Sequence, residues 1–101
     1  FGVMGGAYQP AGHVRVMGSM LDHGMDPQAA IDAPRSFPDA EGLQLETGYP
    51  EEVAAELVAL GHQVRRASKP LGGAQAILID HARGVLIGAS DPRKDGCALG
   101  Y

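Results

Sequence analysis

Near the start, Gly2-Val3-Met4-Gly5-Gly6 places a glycine pair directly after a short apolar run. Successive glycine N–H groups at such a turn can face one concavity, where they hold an anion, a phosphate or a developing oxyanion. A tight turn packed against a neighbour uses the same residues, and glycine spacing alone does not separate the two. A second pair, Gly72-Gly73, offers a phosphate loop the same slight support. Two Pro-Arg dipeptides, in Asp32-Ala33-Pro34-Arg35 and Ser90-Asp91-Pro92-Arg93, set a planar five-donor fork behind a fixed φ. Arginines so placed bind a carboxylate, either a substrate's or a structural partner's, with Asp91 and Glu46 as partner candidates.

The other reactive side chains suggest no site. His13, His23, His62 and His81 form no HExxH or H-x-H pattern and have no nearby cysteine pair, so no metal is expected. Ser19, Ser36, Ser68, Ser90 and Cys97 lie in no recognisable nucleophile context, and Thr47, before Gly48-Tyr49-Pro50, reads as part of a helix start. The chain shows no credible nucleophile, and nothing in it implies a cofactor.

These residues must be positioned by short elements. Phe1 to Met4 reads as a strand ending at the glycine turn. Val14, Met17, Met20 and Leu21 fall at helical spacing between about Pro10 and His23, with Gly24 as the residue past the helix end. Asp26-Pro27 is an N-cap followed by proline at the first helical position, and Pro34 stops that short helix. Arg35 to Asp39 is expected to be extended, and Leu43 and Leu45 alternate as in a half-buried strand. Pro50-Glu51-Glu52 opens a third helix with Val53, Leu57, Val58 and Leu60 as its apolar stripe, closed by Gly61. A strand near Gln63 to Arg66 follows. Ala76 to Ile79 and Val85 to Ile87 form a β-hairpin across Asp80 to Gly84, apolar enough to be covered on both faces. The expected class is α/β or α+β, with helices against one face of a largely antiparallel sheet.

Composition narrows the partners. With 101 residues, 45% hydrophobic and 20% charged, the chain is one small domain or part of a larger one, and the balance argues against disorder. Its 15 glycines, about twice the usual share, follow no period, so they serve turns and caps and not a repeat. Net charge is −4 with acids and bases interspersed, which argues against a nucleic-acid footprint or a polybasic membrane patch. No apolar run approaches membrane-spanning length. A lone Cys97 excludes an internal disulfide and leaves the compartment open. Because Phe1 to Met4 reads like a strand entered mid-course, the chain is expected to be cut from a longer one.

Taken in order, these segments resemble the C-terminal part of the γ-glutamyltransferases, a family of N-terminal-nucleophile hydrolases. The resemblance runs from Gly2-Val3-Met4-Gly5-Gly6 through Gln9-Pro10, Leu21-Asp22-His23-Gly24-Met25-Asp26-Pro27 and Asp32-Ala33-Pro34-Arg35. It continues with Glu46-Thr47-Gly48, Gly72-Gly73-Ala74-Gln75-Ala76-Ile77, the tail Gly88-Ala89-Ser90-Asp91-Pro92-Arg93-Lys94-Asp95-Gly96, and Gly100-Tyr101. It implies a four-layer αββα sandwich. Residues 1–101 would then be the C-terminal segment of the small, catalytic subunit of a precursor that cuts itself. It also implies an N-terminal threonine, upstream of Phe1, that attacks a γ-glutamyl amide and passes the acyl group to water or an amine. By resemblance, Gly5 and Gly6 match the oxyanion-hole pair, and Arg35 and Arg93 match positions that brace the site. The implied partners are the remainder of the parent chain and a small γ-glutamyl substrate such as glutathione. Gln9-Pro10-Ala11-Gly12-His13 is more similar to the acylase-type branch, which extends the substrate range to β-lactam side chains and small amidates. Alone, the chain is expected to be inactive and to self-associate; a non-catalytic interaction module is the alternative.

Overall fold

The computed structural model describes all residues, 1–101, in two compact units: Phe1–Ala33 with Gly72–Tyr101, and Pro34–Leu71. In the first unit, strand β1 (Gly2–Met4) leads through a single 3-10 turn, Gly6–Tyr8, into helices α1 (Gln9–Leu21) and α2 (Pro27–Asp32). The second unit contains β2 (Ser36–Asp39), β3 (Gly42–Leu45), α3 (Glu51–Ala59) and β4 (Val64–Arg66). The chain then returns to the first unit for β5 (Gly73–Asp80) and β6 (Val85–Ser90).

The first unit's sheet has the order β1-β5-β6 and is antiparallel throughout. Its register sets Val3 opposite Ala74 and Met4 opposite Gly73. Side chains alternate across a strand, and the small residues Ala74, Ala76 and Ala89 are buried on the face that α1 and α2 cover. Ile77, Ile79 and Leu86 on the other face remain exposed, and so do Leu78 and Val85 near the hairpin turn. Within this chain the apolar runs are therefore covered only on the helix side and only around Ala76 and Ala89.

Local chemistry explains α2. The Asp26 carboxylate accepts the Ala29 N–H at 2.9 Å, and Pro27 sits at the first helical position, where its missing N–H costs nothing. Before Pro34, Ala33 turns to φ −52°, ψ 140°, and the helix ends. Gln28 ties the helix to β6 through both amide atoms, donating to the Ser90 carbonyl at 2.9 Å and accepting the Ser90 N–H at 3.0 Å.

Helix α1 faces the sheet differently from its apolar spacing. Gly12, Val16 and Ser19 are buried, whereas Val14 and Leu21 are 74% and 72% exposed. The reason is steric. A Cβ on Gly12 would lie 2.5 Å from Val3 Cγ1 and 2.6 Å from Tyr8 Cε1, so the helix approaches β1 along its smallest residues. The larger Val14, Met17 and Leu21 are left on the outside.

In the second unit, β2 and β3 are antiparallel, but β3 and β4 are parallel, with Leu43 opposite Val64. A parallel pair needs a crossover, and α3 supplies it. Gly42 has φ +126°, and a Cβ there would sit 2.2 Å from the Gln63 carbonyl oxygen, so this strand start takes only glycine. Along α3, Ala54 is buried and Val53 and Leu57 half-buried, but Val58 and Leu60 are exposed: strands of three and four residues beneath cannot cover the whole expected stripe. The Glu41 N–H holds the Asp39 carboxyl below its ordinary range, with Gln44 and Arg65 adding to that against partial desolvation. At the β5–β6 turn, the backbone N–H and the side chain of Arg83 do the same for Asp80.

Candidate functional site

The glycine pair stands where β1 gives way to the 3-10 turn. Gly5 has φ +141° and Gly6 φ +58°, both in the region that side-chain-bearing residues rarely adopt. The turn's hydrogen bonds use the carbonyls of the pair: Tyr8 N–H donates to the Gly5 oxygen at 3.1 Å, and Gln9 N–H donates to the Gly6 oxygen. The first N–H groups of a helical turn have no acceptor within it by geometry. Both glycines are exposed, and a Cβ on Gly6 would meet nothing within 4 Å. Such an open, donor-rich turn can stabilise a carbonyl oxygen as it becomes an oxyanion.

Beneath it lies the start of β5. Gly72, at φ +68°, brings its Cα to 3.1 Å from the Cβ position of Gly5, and a Cβ on Gly72 itself would be 2.5 Å from the Met4 carbonyl oxygen. A side chain on Gly73 would collide with the aliphatic stem of Lys94, 2.6 Å away. The second glycine pair therefore serves close packing under the first.

Asp91 anchors this floor. It is fully buried, accepting the Ala74 N–H at 2.7 Å through one oxygen and the Arg93 N–H at 2.9 Å through the other. Arg93, whose side chain is 11% exposed, pairs with the same carboxylate at 3.2 Å. Its guanidinium also donates to the carbonyls of Ile31 at 2.9 Å and Ala33 at 3.0 Å. Those carbonyls end α2, where Pro34 prevents the helix from continuing and a cation suits the dipole. Arg93 thus closes a helix end and, through Asp91, fixes the strand that pairs with β1.

Arg35 lies in the second unit and is also buried. Its N–H donates to Glu46 Oε2 at 2.9 Å, its guanidinium donates to the Leu71 carbonyl at 2.9 Å, and Leu71 N–H reaches Glu46 Oε1 at 2.8 Å. Arg66 adds bonds to the Glu46 and Tyr49 carbonyls and an ion pair to Glu51. Both Pro-Arg forks therefore reach backbone carbonyls, which their sequence context does not announce, and Arg93 also pairs with the expected Asp91 carboxylate. Tyr8, buried directly below Gly5, was also missed. Its one sequence signal is an aromatic residue, in a chain with 5% aromatics, two positions past a glycine pair.

Of the histidines, His13 has Nδ1 2.7 Å from the Gln9 carbonyl oxygen and its ring 5.4 Å from that of Phe1. No cluster of three or more His, Cys, Asp or Glu side chains is disposed to hold a metal.

Comparison with known proteins follows the same lines. The profile of the gamma-glutamyltranspeptidase family matches residues 1–101. The glutathione hydrolase-like YwrD proenzyme of Bacillus subtilis is 38% identical over 99% of the chain, which spans 21% of that protein. The crystal structure of cephalosporin acylase from Bacillus halodurans superposes with a TM-score of 0.89 at 40% identity, over 99% of this chain and 20% of that one. Gamma-glutamyltranspeptidase from Pseudomonas nitroreducens, complexed with L-DON, superposes at 0.87 with 25% identity, over 99% of this chain and 53% of that one. The chain thus spans about a fifth or less of the length of the curated relatives it matches. The fold class, α/β with largely antiparallel sheets, is that of these structures.

Proposed function

The chain belongs to the gamma-glutamyltranspeptidase family, and from that premise we propose that it is the C-terminal segment of the small, catalytic subunit of a self-processing amidohydrolase or acyltransferase. The observation that carries the proposal is the exposed Gly5-Gly6 turn, with positive φ at both residues and hydrogen bonds that use only the carbonyls.

In this reading an N-terminal threonine, supplied by the preceding part of the protein, attacks the carbonyl carbon of an amide, its own α-amino group taking the hydroxyl proton. The carbonyl π electrons move to oxygen, and the N–H groups of Gly5 and Gly6 stabilise that oxyanion. Collapse of the intermediate expels the amine with its proton and leaves an acyl-enzyme, which water or an acceptor amine then cleaves. Arg93 and Arg35 brace the framework and touch no substrate. The partners are the remainder of the protein and a small amide, either γ-glutamyl or, in a second reading, the side-chain amide of a β-lactam. Thirty-eight per cent identity to a glutathione hydrolase-like proenzyme supports the first reading, and 40% identity to a cephalosporin acylase supports the second.

The test uses the full-length protein. Self-cleavage into two chains, a new N-terminal threonine and turnover of a chromogenic γ-glutamyl or cephalosporin amide are the expected results. An uncut protein that turns over neither amide would sink the proposal and leave an interaction module. The chain alone should self-associate, because Val14, Met17 and Leu21 on α1 and Ile77, Ile79 and Leu86 on the sheet are exposed. Analytical ultracentrifugation at high concentration checks this, and a monomer would contradict it.

A further inference from the structure

Glycine leaves the backbone free, so a glycine pair cannot hold its own N–H groups in a fixed direction. Electrostatic stabilisation of an oxyanion needs donors that do not reorganise as charge develops. Something outside the pair must therefore impose its geometry.

We propose that Tyr8 is the positioning residue of the Gly5-Gly6 donor pair; this rests on the reading of that pair as an oxyanion hole. Tyr8 is 4% exposed and lies three residues beyond Gly5. Its N–H closes the turn onto the Gly5 carbonyl at 3.1 Å. On one side of Gly5, the Cβ position is 3.1 Å from Tyr8 Cβ and 3.3 Å from Tyr8 Cδ1; Gly72 Cα also lies 3.1 Å from that position. Gly5 is therefore packed on that side against both the tyrosine and the start of β5.

The ring is fixed in turn. The Cβ position of Gly12 on α1 is 2.6 Å from Tyr8 Cε1, and that of Gly72 is 2.7 Å from Cδ1 and 2.9 Å from Cε1. Three glycines, from the turn, α1 and the strand start, each give up a side chain to seat one ring. Gly6 differs, with open space where its Cβ would be. One member of the pair is pinned by Tyr8 while the other faces outward, an arrangement that fixes the donors and leaves room for a reacting carbonyl.

In the full-length protein, with the chromogenic amide that the wild type turns over, Tyr8→Ala should lower kcat about 100-fold, the scale of an ångström-sized misplacement, with KM within about twofold. Tyr8→Phe, which keeps the ring, should restore most of kcat. Tyr8→Leu fills much of the volume without the flat ring; should the alanine variant not fold, a kcat loss of at least about tenfold here supports the same role. Val16→Ala, at an equally buried position on α1, provides the comparison: it should lower the melting temperature but not kcat measured well below melting. Wild-type kcat in Tyr8→Ala or Tyr8→Leu overturns the Tyr8 role while leaving the oxyanion reading intact. An equal kcat loss in Val16→Ala also overturns it, by reducing the effect to general destabilisation. A self-cleaved wild type that turns over neither amide overturns the oxyanion reading itself, and the positioning role with it.

Discussion

Arg93→Ala in the full-length protein should cost about 3–5 kcal/mol of stability, the scale of breaking a buried ion pair from one side. It should abolish or slow self-cleavage while leaving KM of any mature enzyme unchanged. The substitution removes the Arg93 guanidinium from the carboxylate of Asp91, which is 0% exposed. It also removes the donors that meet the Ile31 and Ala33 carbonyls at 2.9 and 3.0 Å, exposing the end of α2 where Pro34 blocks any further turn. Arg93→Lys should recover only part of the loss, because one ammonium cannot reproduce a planar fork that reaches both carbonyls and the carboxylate. Denaturant titration and the yield of cleaved chains are the measurements. A stable, fully cleaved Arg93→Ala protein with only a raised KM would make Arg93 a substrate ligand and remove its bracing role.

The second large effect belongs to the glycine pair. Gly5→Ala should lower kcat about 10²–10³-fold, equivalent to about 2.7–4 kcal/mol of transition-state stabilisation, the measured scale for losing one oxyanion donor. Alanine is strained at φ +141°, and its Cβ would press at 3.1 Å on both Gly72 Cα and Tyr8 Cβ, so the turn must move. Gly6→Ala separates strain from contact. At φ +58°, with no protein atom of this chain within 4 Å, it should cost only the left-handed penalty in stability, about 1–2 kcal/mol, so any loss of kcat reports a Cβ in the space left for the reacting carbonyl. Thermal unfolding of the two variants beside steady-state kinetics makes the comparison. A Gly5→Ala enzyme with wild-type kcat would remove the pair from the reaction.

Much of the local structure was legible in the sequence because it depends on near neighbours. Asp26-Pro27 specified the start of α2 through a carboxylate that reaches three residues ahead, and Pro34 specified its end. The glycine turn after β1, the third helix behind Pro50 and the terminal hairpin were legible for the same reason. So was the family resemblance, since it lies in the order of short segments along the whole chain.

The rest needed the tertiary structure. Apolar spacing in α1 pointed to Val14, Met17, Met20 and Leu21, of which only Met20 is half-buried; the helix buries Gly12, Val16 and Ser19, because Gly12 is where it comes close to Val3 and Tyr8. The Pro-Arg pattern showed where guanidinium groups begin, not that Arg93 ends on α2 carbonyls some 60 residues away in sequence. Nothing near Tyr8 announced that three glycines make room for its ring. Elements, caps and family follow from the order of residues along the chain; which faces are buried, and which residues hold the Gly5-Gly6 turn, follow from how distant segments pack. Caps and turns are set by atoms a few bonds apart. Burial and clamping depend on which distant segments meet, and residue types carry no such addresses.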